Sequence, residues 1–211
     1  MRLFIIVFAA FVLAVPAFAD YTYVMTDGMD FVDLGTSVLI DHQTLLMTGG
    51  GGGTLNLHDY SFALIQGTAP YNQEIFPRGG IEQLNVGYYS HLDFFGGEVY
   101  EIGIGTDGTA TLSGGKINRL RTGQAAWRYD YTVDPPVLVP NPHVEIICKD
   151  WNYNTISKIL AGTWGNNSLF NIQLVNVTGY SPTIDNIKFT IIPEPATLLL
   201  LGLGGLLIRR K

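Results

Sequence analysis

Four histidines and one cysteine are the side chains of this chain best suited to proton transfer, metal ligation or nucleophilic attack near neutral pH. His42 and His58 each adjoin an aspartate, Asp41 and Asp59, while His91 and His143 stand apart. Zinc sites draw several nitrogen or sulfur ligands to one centre, often as His-x-x-x-His or His-Glu-x-x-His. Neither spacing occurs, and Cys148 has no second cysteine to join it. A Gly-x-Ser-x-Gly nucleophile elbow is also absent from the sequence. The histidines are therefore expected at the surface or in turns. Cys148, flanked by Ile146, Ile147 and Lys149, is expected as an inert, half-buried thiol on a strand.

The acids give no stronger signal. Asp27, Asp30 and Asp33 recur every three residues, whereas a calcium loop sets its acids on alternate positions with a fixed glycine. They are expected as solvated turn residues, and no metal or other cofactor is expected. Glycan cleavage would need clustered carboxylates, and Glu82, Glu98, Glu101 and Arg119 are scattered along the chain. Tyr88, Tyr89 and Tyr100 could stack on sugars or simply occupy strand surfaces. Ice binding would need ranks of Thr-x-Thr, and Thr109-Ala110-Thr111 is one copy. The run Gly49–Gly53 lacks the Gly-Lys-Ser/Thr of a phosphate loop and is expected as a flexible corner.

The elements that position these residues are signalled by a period. Gly79, Gly97 and Gly115 lie eighteen residues apart, as do Ile81, Val99 and Ile117, and Leu84, Ile102 and Leu120. Upstream, Leu39, Leu45, Met47 and Gly49 precede Leu57, Ala63, Ile65 and Gly67 by the same eighteen. Between the two blocks the offset is twenty-nine, and Thr68–Arg78 supplies the extra eleven residues as a loop with two prolines. Apolar residues fall in i, i+2 pairs such as Leu84/Val86 and Leu92/Phe94, which is strand alternation. Gly, Asn, Ser and Thr between the pairs suit tight corners. Short strands that return to register every eighteen residues predict stacked coils of a parallel β-solenoid. An antiparallel sandwich would share the alternation but would not demand so constant a period.

After Thr122 the period stops, and Asp134-Pro135-Pro136 with Pro140-Asn141-Pro142 marks a loop or boundary. Strands are expected over residues 127–133, 143–149, 156–160, 168–177 and 186–192, forming a small antiparallel β cap over the last coil. Leu160–Trp164 followed by Asn166–Phe170 reads as a β-hairpin. The expected fold class is mainly β, a short parallel β-solenoid followed by that cap, with a hydrophobic helix at each terminus. The lone cysteine forbids an intramolecular disulfide, so the core must hold the body. From Asp20 to Ile192 eight cations face seventeen acids, a net of −9, which argues against nucleic acid as a partner.

The two ends explain the high apolar content of 47%. Arg2 precedes an uncharged apolar run from Leu3 to Val15, then Pro16 and the small-x-small pattern Ala17-Phe18-Ala19. This is signal-peptide organisation with cleavage between Ala19 and Asp20. At the other end stand Pro193-Glu194-Pro195, an apolar Leu/Gly-rich run from Ala196 to Ile208, and the basic Arg209-Arg210-Lys211. The tripartite tail resembles the PEP-CTERM sorting signal of bacterial exported proteins, which exosortase-type enzymes read. Thr111–Ile117 is similar to the SGG-x-[IV] units of exported PEP-CTERM and adhesin-like proteins.

The expected organisation is a signal peptide over 1–19, a repeat region over 20–124, a C-terminal β region over 125–192 and the sorting signal over 193–211. The resemblance implies signal peptidase and an exosortase-type transpeptidase as partners, with the inner membrane holding the C-terminal helix before processing. Pro193, Glu194 and Pro195 would be the sorting motif, and Arg209, Arg210 and Lys211 the stop-transfer cluster kept in the cytoplasm. Extracellular polysaccharide is the partner class such a protein would then meet. The implied function is that of an exported, non-enzymatic protein of the cell surface or matrix, with a glycan-binding or glycan-active body as the alternative and ice binding as a remote one.

Overall fold

The computed structural model describes residues 21–31, 34–70, 80–105, 107–123, 127–130, 137–140 and 143–193. The expected helices at both termini lie outside these residues. The strands are β1 (Tyr23–Met25), β2 (Val38–Leu39), β3 (Thr44–Met47), β4 (Gly51–Leu57), β5 (Phe62–Ile65), β6 (Gly80–Val86), β7 (His91–Phe94) and β8 (Glu98–Ile104). They continue as β9 (Thr109–Leu112), β10 (Lys116–Thr122), β11 (Trp127–Asp130), β12 (Val137–Pro140), β13 (Val144–Asn154), β14 (Ile159–Trp164), β15 (Leu169–Val175) and β16 (Ile187–Ile191). The chain is mainly β, and fourteen strands join one sheet whose pairings are mostly parallel.

Two rows make up that sheet. β1, β3, β5, β7 and β9 pair in parallel along one row, and β2, β4, β6, β8 and β10 along the other. The register carries the sequence period. Ile81 pairs with Val99 and Val99 with Ile117, eighteen residues apart each time, while Leu55 pairs with Leu84 at twenty-nine. The insertion thus falls between β5 and β6, with Thr68 anchoring its start through a hydroxyl that accepts the Glu98 N–H at 2.6 Å.

Parallel stacking places equivalent side chains directly above one another, so each inward position becomes a column. One runs Met25, Met47, Ile65, Phe94, Leu112, Ile146, and a second runs Leu55, Leu84, Ile102, Leu120, Leu174. All of these are buried. A short strand alone could not bury such a side chain on both flanks; the neighbour above and below supplies the contact. Gly52 occupies the column of Ile81, Val99 and Ile117, and the Phe31 ring fills the space a side chain there would take. The glycine run is therefore only partly a corner, because Gly51–Gly53 form the start of β4, where Gly51 and Gly52 are buried and pack closely.

The expected antiparallel cap is not a separate sheet. β13 continues the first row by pairing parallel with β9, and β15 continues the second by pairing parallel with β10. β14 lies antiparallel between them and joins the rows. The reason is burial: Ile146 and Leu174 extend existing apolar columns, which a detached cap would leave open. β14 and β15 form the expected hairpin. The strand expected over 156–160 is instead a turn followed by β14, because the Asn154 side-chain oxygen accepts the N–H groups of Ile156 and Ser157 and turns the chain. β11 and β12 make a separate two-stranded antiparallel pair.

β16 runs parallel to the first part of β13. Glu145 fastens the two, taking hydrogen bonds from the Thr190 hydroxyl and from Lys188 Nζ at 3.0 Å. These donors favour the charged carboxylate and hold its pKa below the usual 4.5. A depressed carboxylate pKa contributes stability above the unfolded value and loses it as pH falls through the folded one. Urea midpoints for Glu145→Gln should therefore lie below those of the parent at pH 7, with the gap closing in the acid range below 4.5. A gap independent of pH would contradict the charge argument.

Candidate functional site

The sheet delivers the chain directly to the expected sorting motif. β16 ends at Ile191, the Ile192 N–H donates to the Cys148 carbonyl at 2.9 Å, and Pro193 is exposed. Glu194, Pro195, Arg209, Arg210 and Lys211 lie outside the described residues, as do Ala19 and Asp20 at the other end. Among the described residues no helix is long and apolar enough to cross a membrane.

The residues with chemical potential are dispersed over the body. His42, His58 and the aspartates beside them sit in the corners between the rows, as expected for turn residues. Those corners carry consecutive non-glycine residues at positive φ: Asp41 and His42, Asp59 and Tyr60, Tyr88 and Tyr89. Bulky side chains adopt this region at a cost of order 1 kcal/mol each. Ring stacking offsets part of it, with His42 on Tyr60 at 5.3 Å and Tyr60 on Tyr89 at 5.2 Å. His91 lies on β7 with Nε2 at 3.0 Å from Asp93 and Nδ1 at 2.7 Å from the Thr109 hydroxyl. His143 departs from the surface expectation: it is buried, with Nδ1 3.1 Å from the Gly108 carbonyl. Cys148 is fully rather than half buried, and desolvation, aided by the negative charge of Asp150, pushes its thiol pKa up. Among the described residues no three of His, Cys, Asp or Glu converge on a possible metal position.

The acids that look scattered along the chain are paired across the strands. Glu98 meets Lys116 at 2.5 Å, and Glu101 meets both Arg119 at 3.2 Å and Arg121 at 2.7 Å. The partners of Glu98 and Glu101 in the β8–β10 ladder are Lys116 and Arg119, eighteen residues on. The period that aligned the apolar columns was the signal for these ion pairs as well. Thr109 and Thr111 stand beside His91 and Asp93 on one side, and Thr111 beside Glu145 on the other, so no threonine rank extends from them.

Sequence reasoning missed one feature. An open groove of about 790 Å³ lies among β10, β13, β14 and β15. Trp151, Asn118, Asn152, Asn171 and Thr163 border it. Trp151 is 42% exposed and stacks on Phe189, with 3.9 Å between ring centres and 11° between planes. All but Asn118 come from the part of the chain without a period, so only the sheet register brings them together.

Neither a curated protein nor a solved structure matches the chain significantly. The family comparison instead finds its match where the sheet ends: residues 192–211 fit the PEP-CTERM protein-sorting motif, and the chain is one that carries this sorting signal.

Proposed function

We propose that the chain is an exported, non-enzymatic protein of the cell surface or extracellular matrix. Its tail would be read by an exosortase-type transpeptidase, and its body would be a short β-solenoid whose far end is closed by β14. The match at residues 192–211 carries the sorting reading. It supports an exported protein whose precursor is held in the membrane and then processed toward the cell envelope. The body supports the scaffold reading through its outward charges, since Glu98 and Glu101 are engaged with cations of the next strand.

Processing would be tight against the fold, because the motif begins one residue after β16. Pro193, Glu194 and Pro195 would present the cleavable segment, held extended by the two prolines. Arg209, Arg210 and Lys211 would stay on the cytoplasmic side until cleavage. Mass spectrometry of both ends of the mature protein, with fractionation of cells and medium, tests this. The surface form should begin at Asp20 and lack Arg209-Arg210-Lys211; recovery of Lys211 on it would refute the reading. Turnover of any member of a polysaccharide panel would refute the non-enzymatic part.

A further inference from the structure

We propose that Tyr60 and Tyr89 are a site of oxidative cross-linking, joined as dityrosine when peroxide and a one-electron peroxidase act on the body. Both lie in the corners that lead from the second row to the first, and the register sets them level on successive turns of the chain. Phe62 pairs with His91 and Leu57 with Val86, so position 60 stacks on position 89. The Tyr60 N–H donates to the Tyr88 carbonyl at 3.1 Å, which fastens the two corners together. Their rings stack at 5.2 Å between centres with 13° between planes. Tyr60 is 57% exposed and Tyr89 61%, so a soluble oxidant reaches both.

The pair is singled out within its column. The turn before places His42 at this position and the turn after places Asp107, neither of them a phenol. Tyr88 is exposed as well, but its ring stacks on His58 at 4.8 Å. Tyr60 and Tyr89 also hold the left-handed backbone, at φ of 62° and 63°, a region that bulky residues enter only at a cost. Glycine would relieve that cost, so the two rings are kept against a local penalty. Stacking alone would be served by any aromatic ring; a phenol adds a group that can be oxidised.

Each phenol gives up one electron and one proton and becomes a phenoxyl radical. Hydrogen peroxide takes up the two electrons and two protons and leaves as two waters. The unpaired electrons spread to the carbons ortho to oxygen, where they pair to form one C–C bond. The two hydrogens on those carbons move to the oxygens and restore both phenols, so the chain loses two hydrogens in all. Side chains at the surface turn on the nanosecond scale, which brings the ortho edges of the stacked rings together without moving the strands. The bond closes a loop over the 29 positions from Tyr60 to Tyr89, across the Thr68–Arg78 insertion that interrupts the eighteen-residue stacking. A body whose lone cysteine forbids a disulfide thus gains a covalent staple where its repeat is broken.

The inference rests on the exported reading only for the encounter with an oxidant, and its test is independent of it. Failed sorting with intact cross-linking counts against the former alone, and intact sorting without cross-linking against the latter alone. The full chain, dilute enough to disfavour links between chains, is treated with hydrogen peroxide and a haem peroxidase, then mapped by proteolysis and mass spectrometry. Dityrosine fluorescence is expected, together with a peptide pair joining Tyr60 to Tyr89 that is two hydrogens lighter than its parts. The treated chain should melt about 5–15 °C higher, because the link closes a loop of this length in the unfolded state. Tyr60→Phe and Tyr89→Phe keep the stacked rings, so each should abolish this product while the untreated chain melts as the parent does. Tyr88→Phe, whose ring stacks elsewhere, should cross-link as the parent does. The proposal is overturned by the absence of an intrachain link, by links that map mainly to other tyrosines, by a product that survives both variants at 60 and 89, or by a linked chain that melts with the untreated parent.

Discussion

Trp164→Ala is expected to lower the unfolding free energy by about 3–5 kcal/mol, the range for truncating a large buried aromatic. Trp164 is fully buried on β14, the strand that joins the two rows. Its ring lies against Phe170 at 4.3 Å between centres, and its indole N–H donates to the Gly115 carbonyl at 3.0 Å. The side chain therefore bonds the connecting strand to the corner before β10, and its removal opens a cavity and leaves that carbonyl without its donor. For a body of this size each kcal/mol is worth about 2–4 °C, so the melting temperature should fall by about 6–20 °C. The urea midpoint should drop with an unchanged slope. Trp164→Phe separates the two contributions: it keeps most of the packing against Phe170 and loses the hydrogen bond, so it should recover most of the loss. A midpoint for Trp164→Ala within error of the parent would mean that β14 does not bind the rows together.

What the sequence revealed of this arrangement follows from how the strands stack. Where each strand lies directly on the one eighteen residues before it, an inward position repeats because its neighbours above and below are its own equivalents. That is why Ile81, Val99 and Ile117 were visible as a set. The same logic made Glu98–Lys116 and Glu101–Arg119 legible, yet those charges looked scattered because they were read along the chain instead of across it. Gly52 was opaque for the opposite reason. Its vacancy in the column is filled by Phe31, a residue outside the period, so a packing device looked like a loose corner. Beyond Thr122 the partners are thirty-four residues apart between β9 and β13 and fifty-four between β10 and β15. Such offsets leave only the alternation readable, which gives strands but neither their neighbours nor the groove they form. The sorting tail was legible for a different reason again: its three parts are defined by composition and order, without reference to a fold.

Gly114→Ala tests the stacking itself. A β-carbon on Gly114 would lie 2.1 Å from the Phe95 carbonyl oxygen, on the preceding turn of the chain. The same approach occurs at Gly96, where the added carbon would meet the Gln66 oxygen at 2.4 Å, and at Gly67, where it would meet the Thr48 oxygen at 2.8 Å. The obstacle is backbone each time, so no side-chain rotation relieves it. The two turns are meanwhile held together by the Ser113 N–H donating to the Phe94 carbonyl at 3.0 Å and the Lys116 N–H donating to the Gly97 carbonyl at 2.8 Å. Accommodating one methyl group must therefore stretch ladder bonds or displace β10 from β8, an overpacking cost of about 3 kcal/mol. Gly87→Ala supplies the contrast. No atom lies within 4 Å of the added carbon and the backbone is not in the left-handed region, so its stability should match or slightly exceed the parent's. Equal urea midpoints for Gly114→Ala and Gly87→Ala would show that the turns do not approach as closely as the register requires. A large difference would identify the first glycine of each Gly-Gly pair as the element that sets the spacing between successive strands, with the second, Gly97 and Gly115 at φ of 92° and 77°, supplying the bend that follows.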